Sequence, residues 1–85
     1  MMRLFELIYT DTFLKDLKAL GPQQKERVRK LVDKLLENPK RYKPLDGYAN
    51  TFRIRFEQFR LIYKVEGTSV LLLFVRKRDS VYRIL

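Results

Sequence analysis

From Phe52 onward the chain alternates: Phe52, Ile54 and Phe56 fall on one side of an extended run, Arg53 and Arg55 on the other, because successive strand side chains point to opposite faces. This pattern predicts a strand over about 51–56 and a second over about 59–65. Glu57-Gln58 joins them tightly without the usual turn residues, which leaves room for a bulge. Glu66-Gly67-Thr68 reads as a hairpin turn into a third run, Ser69 to Arg76, whose apolar VLLLFV segment nominates it as the central strand, buried on both faces. Upstream, Met2 to Tyr9 reads as an opening strand, and Thr10, Asp11 and Thr12 offer helix N-caps. Phe13, Leu14, Leu17 and Leu20 then recur at helical spacing, with Lys15, Asp16 and Lys18 on the outer side. Gly21 ends that helix and Pro22 opens the next, whose stripe is Val28, Leu31, Val32, Leu35 and Leu36.

Asn38-Pro39 stops the second helix, residues 39–50 form a loop, and the tail from Lys77 is basic with a short apolar tip at 81–85. The predicted order is β-α-α-β-β-β. That is an α+β domain over residues 1–85, with an antiparallel sheet of about four strands and an N-terminal helical hairpin packed on one face.

Charge changes this picture from a fold to a partner. Nineteen Lys and Arg against ten Asp and Glu leave a formal net charge of +9 on 85 residues, an excess suited to a polyanion such as nucleic acid. A hydrophobic fraction of 46% with six Phe and five Tyr is ordinary for a folded chain and speaks against disorder. Cysteine and histidine are both absent. Disulfides, thiolate nucleophiles, the usual metal ligands and the usual general base near neutral pH are therefore excluded. No apolar run approaches about 18 residues, and the N-terminus lacks a signal core, so a cytoplasmic location without membrane contact is expected.

The candidate chemistry lies with the arginines. A guanidinium grips a phosphodiester through two parallel hydrogen bonds and keeps its charge while doing so. One strand arginine alone reads as the solvated side of an amphipathic strand. Arg53 and Arg55 on one strand, Arg60 on its hairpin partner, and Arg76, Lys77 and Arg78 at the exit of the next strand could converge, with Lys64 beyond. Like charges ranked on a sheet repel, so their presence calls for an anionic partner. Tyr82 follows the cluster, and nearby cations lower a phenol's pKa. It suits activation of a ribose 2′-OH or stacking on a base, although a tail tyrosine packed on the sheet is the commoner arrangement.

The run Tyr48-x3-Phe52-Arg53-Ile54-Arg55, then Phe59-Arg60-Leu61-Ile62-Tyr63, and the ending Arg76-Lys77-Arg78-Asp79-Ser80-Val81-Tyr82 resemble the RelE/ParE toxin superfamily of toxin–antitoxin modules. The likeness covers nearly the whole chain and is nearer to the RelE-type branch. It implies a ribosome-dependent mRNA endonuclease that uses no metal or cofactor, in which the 2′-OH attacks its own phosphodiester and leaves a 2′,3′-cyclic phosphate. It implies that Arg53 and Arg55 neutralise charge or assist proton removal and that Arg60 grips the phosphate. Arg78, or Arg76 if the tail aligns differently, would stabilise the transition state or the leaving group, and Tyr82 would stack on the base or move a proton. Arg76, Lys77 and Lys64 would bind substrate. The implied partners are a RelB-like antitoxin, the ribosome and mRNA. Family members often carry lysines at positions 53 and 55; arginine there stays protonated and is a poorer base. Two other readings stay open: a ParE-like toxin that inhibits a topoisomerase, and a non-catalytic basic nucleic-acid-binding module.

Overall fold

The computed structural model describes residues 5–84, the side chains of 82–84 excepted; the Met2–Leu4 part of the predicted opening strand lies outside the described residues. The elements are β1 (Glu6–Tyr9), α1 (Asp11–Lys18), α2 (Pro22–Glu37), β2 (Lys43–Pro44), β3 (Thr51–Phe56), β4 (Phe59–Glu66), β5 (Ser69–Lys77) and α3 (Arg78–Ile84). The strands form one sheet in the order β1-β5-β4-β3-β2. The α+β class and the helical hairpin stand as predicted, with three differences. β1 pairs in parallel with β5, so the sheet is mostly rather than wholly antiparallel. The loop at 39–50 contributes a short fifth strand, β2, an edge position where Pro44 costs no interior ladder bond. The basic tail forms a helix, α3.

The centre of the sheet is β4, not the apolar Ser69–Arg76 run. In a β3-β4-β5 meander flanked by β2 and β1, the middle hairpin strand is also the middle of the sheet. Leu61, Ile62 and Tyr63 on β4 are all wholly buried. One face carries Phe52, Ile54, Phe56, Leu61, Tyr63, Val65, Val70, Leu72 and Val75 against Phe13 of α1 and Val28, Val32 and Leu35 of α2. Burial of such side chains stabilises by about 1.5–3 kcal/mol each. Leu14 points outward instead of joining this stripe. The opposite face has a smaller cluster in which Val81 of α3 sits with Ile62 and Phe74. Among the described residues no helix is long and apolar enough to cross a membrane.

The register contains one irregularity with large consequences. Tyr63 is opposite Leu72 while Ile62 is opposite Phe74, so Leu73 is an extra residue in β5. The bulge therefore lies here and not at Glu57-Gln58, where Phe56 and Phe59 close a two-residue turn with Glu57 at φ 52°. An extra residue inverts the alternation beyond it. Val70 and Leu72 face the helices before the bulge, and Val75 faces them after it. Arg76, which strict alternation would have aimed into the core, becomes the cross-strand partner of Arg60 on the other face.

Candidate functional site

Arg55 is paired with Arg60 across β3 and β4, and Arg60 with Arg76 across β4 and β5. Three guanidinium-bearing residues thus form one row across three adjacent strands, at the end of the sheet where α3 begins. Directly opposed side chains in a sheet have Cβ atoms about 4.5–5.5 Å apart, and like charges there repel. Arg60 is only 4% exposed, and its Nη1 donates to the Phe59 carbonyl at 2.9 Å. Holding a charge in such surroundings costs several kcal/mol unless it is well solvated by protein groups.

Beside it is a hollow of about 390 Å³ lined by Arg55, Glu57, Gln58, Arg60, Lys77, Arg78 and Asp79. Its two walls are the β3–β4 turn and the β5–α3 junction. They are tied together by the Arg78 backbone N–H, which donates to the Gln58 carbonyl at 2.9 Å. Four cationic side chains and two carboxylates surround the space, leaving it net positive. Arg55, Lys77 and Arg78 are solvent-exposed, so an anion can reach them directly.

Of the residues singled out by sequence, Arg55, Arg60, Lys77 and Arg78 converge on this hollow. Arg76 stands next to Arg60 in the row and borders a second cleft of about 400 Å³, to which Lys77, Phe59, Ser80 and Asp16 also contribute. Its Nε donates to Asp16 Oδ2 at 2.9 Å, and its guanidinium carbon lies 5.7 Å from the centre of the Phe74 ring. Arg53 is half-buried one row away, opposite Lys43 on β2 and Ile62 on β4. It shares the face of Arg55 but does not line the hollow. Lys64 lies four residues along β4 from Arg60, roughly 13 Å away by strand rise, and pairs with Glu66 at 3.2 Å. Lys64 therefore does not line this hollow. Tyr82 is on α3, but its side chain lies outside the described residues.

Four residues at the site escaped the sequence reading: Glu57, Gln58, Asp79 and Asp16. The turn position of Glu57-Gln58, between two arginine-bearing strands, was the available signal for the first two. Asp16 gave none, because its placement depends on β5, some 60 residues distant in sequence.

The family model described as "ParE toxin of type II toxin-antitoxin system, parDE" matches residues 7–82. The curated protein Toxin RelE3 of Methanocaldococcus jannaschii is 26% identical over 83 residues, covering 91% of this chain and 94% of its own. Among solved structures, the RelBE2 toxin–antitoxin complex of Mycobacterium tuberculosis contains a chain 32% identical, with a TM-score of 0.76 over 87% of this chain and 98% of that one. The isolated Escherichia coli RelE toxin is 26% identical, with a TM-score of 0.79 over 95% of this chain and 99% of that one.

Proposed function

The chain belongs to the ParE toxin family of type II toxin–antitoxin systems, and from that premise we propose that it is a RelE-type toxin that cleaves mRNA on the ribosome. Residues 1–85 act as one toxin domain. The observation that carries this reading is the Arg55–Arg60–Arg76 row beside a net-positive hollow, a surface matched to a phosphodiester and its neighbours. Similarity to the E. coli RelE toxin and to toxin chains of RelBE complexes supports it.

The chemistry follows from what these side chains can do. Arginine stays protonated, so Arg55 and Arg60 bind the scissile phosphate and withdraw charge from it, and Arg53 supports them from the next row. The ribose 2′-OH attacks the adjacent phosphorus, the bond to the 5′-oxygen of the next nucleotide breaks, and a 2′,3′-cyclic phosphate remains. The phosphorane carries more negative charge than the ground state, so guanidinium groups fixed around it bind the transition state preferentially. Arg78, at the wall of the hollow, faces the developing charge on the leaving oxygen. The proton of the 2′-OH goes to Tyr82 in its phenolate form or to groups of the substrate and ribosome, and the departing 5′-oxygen takes up a proton, so the downstream fragment leaves with a 5′-hydroxyl. Between attacks the toxin is held by a RelB-like antitoxin whose acidic side chains neutralise the arginines.

The test is growth. Expression of the wild-type chain arrests cells, while Arg60→Ala and Tyr82→Phe, with unchanged circular dichroism, relieve the arrest. Full toxicity in both variants would refute the assignment. The family model's parDE description favours one second reading, inhibition of a topoisomerase. Supercoiling defects in arrested cells whose mRNA stays intact would establish it instead.

A further inference from the structure

We propose that Asp16 is a positioning residue that fixes Arg76 in the phosphate-binding row. The inference rests on reading that row as the substrate site. β1 pairs with β5 only as far as Leu72. Past that point the edge of β5 is covered by α1, and Asp16 Oδ2 accepts both the Val75 backbone N–H, at 3.2 Å, and Arg76 Nε, at 2.9 Å. One carboxylate thus closes a strand edge and holds a guanidinium. The helix carrying it is itself seated on the bulge. The Thr10 hydroxyl accepts from the Phe13 N–H to cap α1, and lies 2.7 and 3.0 Å from the Leu72 and Leu73 carbonyls as their donor. The distortion that turns Arg76 toward Arg60 is therefore locked by the same helix that supplies its counter-ion.

The contacts are also selective about which part of Arg76 they use. Asp16 takes Nε, and Phe74 underlies one flat face. Neither engages the two terminal nitrogens, an edge that meets phosphate oxygens in a fork. The Asp16 side chain is 14% exposed and that of Arg76 34%, so the carboxylate is largely shielded while the arginine side chain stays accessible. A flexible arginine would have to be ordered by the substrate; this one is ordered beforehand.

The experiment measures single-turnover mRNA cleavage on programmed ribosomes, with Asp16→Ala, Asp16→Glu, Arg76→Ala and the double variant Asp16→Ala/Arg76→Ala. Misplacement of a substrate-gripping group costs up to about 100-fold in rate. Asp16→Ala should lose about 10- to 100-fold in the cleavage step, with the ribosome concentration for half-maximal rate nearly unchanged. Asp16→Glu should recover most of the rate, and the double variant should be no slower than Arg76→Ala. If Asp16→Ala does not fold, Asp16→Asn replaces it, keeping an acceptor for Val75 while removing the charge, with the same directions expected. A wild-type rate in Asp16→Ala, or losses that multiply in the double variant, overturn the proposal. A wild-type protein that cuts nothing overturns the ribonuclease reading instead. The clamp is then judged by the Arg76 Nε–H resonance: slow solvent exchange in wild type and fast exchange in Asp16→Ala sustain it, and equal exchange in both overturns it.

Discussion

The two faces of the β3-β4-β5 meander are made by the same backbone and do opposite things. Under the hairpin of α1 and α2, nine strand side chains from Phe52 to Val75 form a continuous apolar layer. On the other face the apolar cluster shrinks to Ile62, Phe74 and Val81 with partial cover from Leu45 and Leu73, and beside it runs the row of Arg55, Arg60 and Arg76. The first face holds the fold together. The second gives up packing to gather like charges, a local conflict of the kind folded proteins tolerate at functional sites. The contrast implies that substitutions on one face change stability with the chemistry spared, while substitutions on the other do the reverse.

The strongest way to break that division is in the core. Leu72, wholly buried beside the bulge, should cost about 2–5 kcal/mol on truncation to alanine, read from urea unfolding, while the activity per folded molecule stays near wild type. Arg60→Met makes the opposite request. Removing this guanidinium should leave the fold intact by circular dichroism, while cleavage falls about 100- to 1,000-fold, the usual cost of one donor to a developing charge. A large loss of stability in Arg60→Met would mean that the arginine row is structural.

The helix-covered face also has a pH signature. The Tyr63 hydroxyl donates to the buried Pro39 carbonyl, and burial, with a smaller contribution from Tyr42, raises its pKa well above 10.0. A pKa raised on folding favours the protonated native state. That stability is fully present below about pH 10, the unfolded value, and is lost as pH rises toward the folded value. Tyr63→Phe should flatten this alkaline loss in thermal melts between pH 9 and pH 11. The smallest effect is expected at the turn between the faces. Glu57 holds φ 52°, a left-handed conformation costing a non-glycine residue about 1–2 kcal/mol. Glu57→Gly should therefore stabilise the protein by up to about 1 kcal/mol, checked by the midpoint of thermal unfolding.

The legibility of the chain divides along similar lines. Strict alternation in Phe52–Phe56 assigned Arg55 to a face, and the short link to Arg60 paired the two; both are local properties of the sequence. The Gly21-Pro22 break likewise marked the helical hairpin. The bulge at Leu73 was invisible, because a run of Val, Leu and Phe is apolar on every position and carries no phase from which a slip could be detected. Helix α3 was missed for want of length. Seven residues with Val81 as the apolar anchor display too little periodicity, and Arg76-Lys77-Arg78 reads as the basic end of the preceding strand. The role of Asp16 depends on where the pairing of β1 with β5 stops, a long-range fact. Beside Lys15 and Lys18 it reads as one more solvated charge.

The central claim is that the arginine row grips a scissile phosphate. It is tested most directly by incubating the purified chain with ribosomes carrying a defined mRNA and analysing the cut ends. Wild-type protein should produce codon-phased cuts whose upstream fragments end in a 2′,3′-cyclic phosphate, and Arg60→Met should leave the mRNA intact while still folding. Intact mRNA with the wild-type protein, or equal cutting by the two, would contradict the claim.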